Sequence, residues 1–164
     1  LANDAILDDG TRPPPGSAHW PVHILTPTAQ PLKALATSLT STESAAATLA
    51  LLDELARDPR ILDVRVSKLL AQTRNARQLL LVVDQFQELF TLCKDREERK
   101  AFVDNLLTAS SPQGSTMVVI TLRADFYAQC SEFDALREAL AHEQTYIGPM
   151  HPEAPRRARA EPAR

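Results

Sequence analysis

The sequence has little glycine: four residues in 164, at positions 10, 16, 114 and 148. The phosphate-binding loop GxxxxGK(S/T) needs two glycines and a lysine, because its backbone N–H groups and the lysine together hold the phosphates. None of the four glycines fits this spacing. A complete phosphate loop is therefore excluded within these residues.

Cysteine and long apolar runs are also scarce. The two cysteines, Cys93 and Cys130, lie far apart without CxxC or Cys/His spacing, which predicts buried free thiols rather than a disulfide or a zinc site. No stretch approaches the roughly 18 apolar residues of a membrane span. The first residues carry neither a basic region nor an apolar signal core. These features favour a cytoplasmic protein without a membrane partner.

A strong charge of either sign is missing as well. The formal net charge of −3 supplies no overall basic field, so a nucleic-acid partner gets no support from it. The composition, 44% hydrophobic and 24% charged, is ordinary for a globular protein, and the length suffices for one domain with a sizeable core. Function must therefore be sought in local sites.

Apolar runs alternate with helical patterns from Trp20 onwards. Two unbroken apolar runs, Leu79–Val83 and Met117–Leu122, are typical of strands covered on both faces of a parallel sheet. Shorter stretches at Trp20–Leu25 and Thr145–Met150 predict two further strands. Between them, apolar residues at helical spacing predict helices whose buried faces include Leu32, Leu49, Leu62, Phe102 and Phe133. This order predicts an α/β fold with a mainly parallel sheet flanked by helices.

Polar residues follow the two long apolar runs directly. Asp84 and Arg123 both fall where open α/β sheets bind ligands, at the carboxyl ends of strands. An aspartate there can hold Mg²⁺, or it can cap a helix or form a turn. Arg123 can contact a phosphate, or it can pair with Asp84, Glu88 or Asp125. The residues alone leave these alternatives open.

Two blocks resemble a known family: DQFQELFTLC at Asp84–Cys93 and VVITLRADFY at Val118–Tyr127. Together they resemble the novel STAND class of P-loop NTPases, which are relatives of AAA+ proteins. The similarity extends to Trp20–Pro27, to REERKAF at Arg96–Phe102 and to YIGPM at Tyr146–Met150. It covers nearly the whole chain from Trp20, and it implies a partial P-loop NTPase fold whose first strand is missing.

The resemblance implies roles for individual residues. Asp84 would be the Mg²⁺ ligand of the Walker B strand, and Arg123 would be the sensor arginine that reaches the γ-phosphate of ATP. Thr121 would support the nucleotide site. Glu88 would be the candidate catalytic base, and Gln85 would position water.

Position 87 departs from the family pattern. The family usually has two glutamates where this chain has Gln87-Glu88, and an amide can orient water but cannot accept its proton. This departure leaves two functions open. The first is a switch that binds and hydrolyses ATP in the intact protein, and the second is a non-hydrolysing scaffold or protein-interaction module.

The resemblance also divides the chain. Residues 1–19 would form a loop after the phosphate-loop helix, residues 20–150 would form the NTPase core, and residues 151–164 would begin a helical lid. Pro155 and Arg159 replace apolar lid residues, which favours poor order there. The phosphate loop and the first strand would precede Leu1.

A nucleotide-operated signalling switch is the function that the resemblance implies. ATP and ADP would favour different states, and appended domains, often WD repeats in this family, would act as effectors. A nucleotide-dependent oligomer stays open. A third alternative, a basic-tailed protein that binds nucleic acid, depends only on the arginines after Pro155.

The 164-residue chain by itself is expected to be marginally stable and to bind ATP poorly or not at all. Without its first strand, the sheet would expose unpaired backbone groups and apolar side chains. Calorimetric titration of the purified chain with ATP and Mg²⁺, together with thermal unfolding, measures both properties. Tight Mg²⁺-dependent binding with cooperative unfolding would contradict this expectation.

Overall fold

The computed structural model describes residues 13–142 and 144–145. Its strands are β1 (Val22–Leu25), β2 (Leu79–Val83) and β3 (Thr116–Ile120). Its helices are α1 (Pro31–Leu39), α2 (Ala45–Arg57), α3 (Ile61–Gln72), α4 (Glu88–Thr91), α5 (Arg96–Ala109), α6 (Tyr127–Cys130) and α7 (Asp134–His142). Short 3-10 turns lie at Ser17–His19 and Ala124–Phe126.

The three strands form one parallel sheet in the order β1-β2-β3. β2 is central, with Leu81 opposite His23 on one side and Val118 on the other. The pairing continues past β3, because the Thr121 N–H donates to the Val83 carbonyl at 3.0 Å. The prediction of an α/β fold with a parallel sheet flanked by helices is therefore confirmed.

One face of the sheet carries the hydrophobic core. Alternation along β2 sends Leu79, Leu81 and Val83 to this face, and each is 0% exposed. α1 packs here against β1, and His23 Nδ1 donates to the Ser38 carbonyl at 2.8 Å. α2 and α5 complete the layer by packing on α1 and on each other, and α3 packs on α2 and α5.

The opposite face of the sheet is apolar but poorly covered within the described residues. On β1, Val22 is 55% and Ile24 67% exposed, and on β3, Met117 is 37% and Val119 42% exposed. Each of the two connections, β1 to β2 and β2 to β3, leads to the next strand along the sheet, and both move in the same direction across the strand order. Because parallel crossovers are almost always right-handed, both sets of helices fall on the same face. We call the other one the open face.

Local capping residues decide where two helices begin. The Ser44 side chain accepts from the Ala47 N–H at 3.3 Å, so α2 begins before the predicted Leu49. Asp95 Oδ1 accepts from the N–H groups of Glu97 and Glu98, at 2.9 and 3.3 Å. Only half of a capping box forms there, because among the described residues no hydrogen bond returns from the Asp95 N–H to the Glu98 carboxylate. Burial raises the pKa of Glu98, and the nearby backbone of Leu32 opposes that shift.

Both cysteines are buried free thiols, as predicted. Burial raises the pKa of Cys130 to about 11 and also raises the pKa of Cys93. No helix in residues 13–142 is long and apolar enough to cross a bilayer.

Several predictions fall on residues outside the described part. They are the segment 1–12, the predicted last strand beyond Thr145, and the lid segment 151–164. Thr145 itself is described and does not lie in a strand.

The two faces of the sheet should differ sharply in their tolerance of truncation. Leu81→Ala should lower the free energy of unfolding by about 2–5 kcal/mol, because it leaves a cavity in a packed core. Ile24→Ala removes the same number of carbon atoms from a side chain that is 67% exposed and should cost far less. Urea unfolding of both variants measures the difference. Equal losses would show that the open face is covered in solution.

Candidate functional site at the carboxyl edge of the sheet

The ends of β2 and β3 bring two oxygen-bearing side chains together. The Asp84 N–H donates to the Leu25 carbonyl at 2.8 Å, so Asp84 continues the β2 ladder by one residue. Side chains alternate between faces along a strand, which puts Asp84 on the same face as Val82 and Thr121 on the same face as Val119. Both polar residues therefore stand at the end of the open face.

Asp84, Thr121 and the Gln85 backbone form one hydrogen-bonded cluster. Thr121 Oγ1 donates to Asp84 Oδ1 at 2.5 Å. The Gln85 N–H points between the two oxygens, at 3.0 Å from Asp84 Oδ1 and 2.9 Å from Thr121 Oγ1. Gln85 has a φ of 53°, a left-handed conformation that is costly for a residue with a Cβ. The sharp turn after Asp84 requires it.

Phe86 anchors this turn in the core. Its side chain is 0% exposed, and its N–H donates to the Thr121 carbonyl at 2.8 Å. Its ring lies 6.0 Å from that of Phe90 and 6.5 Å from that of Phe102. The position of the cluster is thus fixed by aromatic packing as well as by the sheet.

Glu88 and Gln87 lie one turn further on. Glu88 begins α4, and its N–H donates to the Gln85 carbonyl at 2.9 Å. The residue is half-buried, and its carboxylate makes no hydrogen bond or ion pair within the described residues. The Gln87 amide oxygen is buried without a hydrogen-bond partner in the same part of the chain. Neither side chain joins the Asp84 cluster.

Arg123 pairs with Asp125, one of the partners that the sequence left open. Its Nη2 and Nε lie 2.9 and 3.1 Å from the two Asp125 oxygens, and its guanidinium carbon lies 5.8 Å from the Phe126 ring centre. The two charged side chains are 67% and 58% exposed. Arg123 therefore sits at the surface beyond β3, two residues after Thr121.

Arg99, which no sequence pattern marked as functional, links the two segments that follow β2 and β3. Its Nη1 donates to the Cys93 carbonyl at 2.9 Å and its Nη2 to Glu132 Oε1 at 2.8 Å. The only sequence signal was its place in the REERKAF block, because no local spacing joins residues this far apart. Arg99 thus connects the two segments at a point away from the Asp84–Thr121 contact.

The site suits a metal that is shared with a ligand better than a metal held by protein alone. Within the described residues, no group of three or more His, Cys, Asp or Glu side chains could hold a metal ion. Mg²⁺ is usually held by one or two carboxylates together with phosphates and water. Asp84 offers such a carboxylate, since Oδ2 receives no hydrogen bond from the described residues. The residues present therefore fit Mg²⁺ bound with a phosphate ligand.

The open parallel sheet of this α/β protein carries Asp84 and Thr121 at its carboxyl edge, the edge where sheets of this kind bind ligands. The model of the family "Novel STAND NTPase 1" matches residues 6–164. The chain therefore belongs to the novel STAND NTPases. No curated protein and no solved structure matches it.

Removal of the Thr121 hydroxyl should loosen the cluster. Thr121→Val keeps the shape of the side chain but deletes the donor to Asp84, and it should lower the free energy of unfolding by about 1 kcal/mol. Thr121→Ser keeps the donor and serves as the matched control. Urea unfolding at neutral pH measures both. Equal losses in the two variants would mean that the hydrogen bond contributes nothing.

Proposed function

We propose that this chain is part of a nucleotide-operated signalling switch in which β2 is a Walker B strand. The observation that best supports it is the 2.5 Å hydrogen bond between Thr121 and Asp84. It joins the ends of adjacent parallel strands at the edge where α/β sheets bind ligands. Membership of an NTPase family makes ATP and ADP the expected ligands. Because this family resembles AAA+ proteins, we interpret the edge of the sheet as part of a P-loop nucleotide site.

Asp84 would hold Mg²⁺ in this switch. When bound there, Mg²⁺ would supply positive charge that offsets the charge of the phosphates. The hydroxyl of Thr121 and the N–H of Gln85 both point at Asp84 Oδ1, so they fix the orientation of the carboxylate. This preorganisation lets Asp84 meet a cation without first having to be ordered.

Arg123 would distinguish ATP from ADP. An exposed ion pair such as Arg123–Asp125 contributes only about 0–1 kcal/mol, so a γ-phosphate with more charge can replace Asp125. The planar guanidinium suits bidentate phosphate binding. Because only ATP carries this phosphate, the contact would differ between the two nucleotide states, which a switch requires. Appended repeat or effector domains, or a nucleotide-dependent oligomer, would report the state.

Hydrolysis is a separate part of the proposal. Glu88 would act as the base, and Gln85 would position the attacking water. The second candidate function, a non-hydrolysing scaffold, is favoured by Gln87, since its buried amide oxygen has no partner among the described residues and cannot accept a proton from water. A scaffold would still bind nucleotide through Asp84, but it would not turn it over.

Substitutions in the intact protein test the site. Asp84→Ala should abolish Mg²⁺-dependent nucleotide binding. Arg123→Ala should lower the affinity for ATP by at least about fivefold, which is the lower end of typical coupling between sites. The affinity for ADP should stay unchanged. Titration with each nucleotide, with and without Mg²⁺, gives the affinities. Glu88→Gln should stop turnover without loss of binding if the protein hydrolyses ATP.

Asp125→Asn is the matched control for Arg123. It removes the present partner of the arginine without removing the arginine, so ATP affinity should be kept or increased. If Asp84→Ala and Arg123→Ala both leave affinity and turnover unchanged, the site assignment is wrong. If the wild-type protein binds ATP but does not hydrolyse it, the non-hydrolysing scaffold is the better description, and the protein is not an ATPase.

A further inference from the structure

Arg99 makes two polar contacts that join the far ends of the segments that follow β2 and β3. The first segment runs from Asp84 to Cys93 and the second from Arg123 to Glu132. Arg99 Nη1 donates to the Cys93 carbonyl at 2.9 Å, and Nη2 donates to Glu132 Oε1 at 2.8 Å. At the other end, Asp84 accepts a hydrogen bond from Thr121, which lies two residues before the second segment.

The Arg99–Glu132 pair is more sheltered than the other ion pairs around the site. The Arg99 side chain is 15% exposed and that of Glu132 23%, whereas Arg96, which also approaches Glu132 Oε1 at 3.2 Å, is 61% exposed. Removing one member of a sheltered pair leaves the other partly buried without its partner, which costs more than breaking a surface pair. The contact is therefore expected to persist when surface pairs exchange.

The helix that carries Arg99 is a fixed reference. α5 buries Phe102 and Asn105, both 0% exposed, and Asn105 Nδ2 donates to the Leu55 carbonyl of α2 at 2.9 Å. The second segment borders open space next to Arg99. A cleft of about 390 Å³ is lined by Phe90, Arg99, Ala128, Gln129, Ser131 and Glu132.

We propose that Arg99 is a positioning residue of the nucleotide site. It holds the segments that carry Asp84 and Arg123 at a fixed separation, so that Arg123 meets the γ-phosphate when Asp84 holds the metal. This role rests on the proposed function. Arg99 itself contacts neither nucleotide nor metal, and it acts through Cys93 and Glu132. Lysine cannot replace it, because a single ammonium does not reproduce the two-armed geometry of guanidinium.

Nucleotide affinities of the intact protein provide the first test. Arg99→Lys and Glu132→Gln should each lower the ratio of ATP to ADP affinity by at least about fivefold and leave ADP affinity unchanged. Arg96→Ala is the matched control, because it removes the second arginine from Glu132 without affecting the contact to Cys93. It should change the affinity for neither ATP nor ADP. Thermal unfolding of each variant shows whether the protein remains folded.

Amide hydrogen exchange of the same variants without nucleotide provides an independent readout. Arg99→Lys should speed exchange in residues 85–92 and in residues 124–131. Glu132→Gln should do so in the second segment alone, and Arg96→Ala in neither. A merely structural role would instead speed exchange throughout the core.

The outcomes separate this inference from the proposed function. If Asp84→Ala abolishes Mg²⁺-dependent binding but Arg99→Lys and Glu132→Gln keep the ATP to ADP ratio, the inference is wrong and the function stands. If Asp84→Ala changes nothing, the function is wrong and the positioning role falls with it. The exchange data then show only whether Arg99 joins the segments. Loss of folding in Glu132→Gln would also overturn the inference, because the pair would then be structural.

Discussion

The burial of Phe86 is the constraint on which the candidate site depends. The chain must turn within two residues of Asp84 so that Phe86 can enter the core at 0% exposure. Gln85 absorbs that turn with a φ of 53°, a conformation that costs about 1–2 kcal/mol for a non-glycine residue. The same turn aims the Gln85 N–H at Asp84 and Thr121. Core packing thus offsets a strained backbone that orders the carboxylate.

The open face and the candidate site are parts of one surface. Val82 and Asp84 share a face of β2, and Val119 and Thr121 share the same face of β3, because side chains alternate along a strand. An apolar surface therefore leads directly to a hydrogen-bonded acidic edge. A parallel sheet is normally covered on both faces, so any element that covers this face would also border Asp84.

Much of the fold could be predicted because its signals are local. The run Leu79–Val83 is apolar at every position, and the observed β2 has the same bounds. Pro31 begins α1, as expected of a residue without an N–H to satisfy. The ends were less predictable: β1 begins at Val22 rather than Trp20, and α2 begins four residues before Leu49. Caps and sheet edges decide these ends, and apolar periodicity does not report them.

The site was predictable only in part. The position of Asp84 follows from the strand before it. Its contact with Thr121 joins residues 37 apart in sequence and depends on strand order. The left-handed turn at Gln85 leaves no mark in the sequence, since glutamine has no special preference for that conformation. The partner of Arg123 stayed open because several carboxylates were near enough, and only the folded backbone selects Asp125.

Two arginines form ion pairs at opposite ends of the segment from Arg123 to Glu132, and the two pairs differ in a way that matters for any switch. Arg123 is 67% exposed and holds Asp125 at the surface, where solvent and salt screen the pair. Arg99 is 15% exposed and holds Glu132 near the core, where exchange of partners is costly. The segment between them therefore has one end that can change partner cheaply and one end that cannot. A phosphate that captured Arg123 would therefore act on the weakly held end of the segment, while the Arg99–Glu132 contact would keep the other end in place.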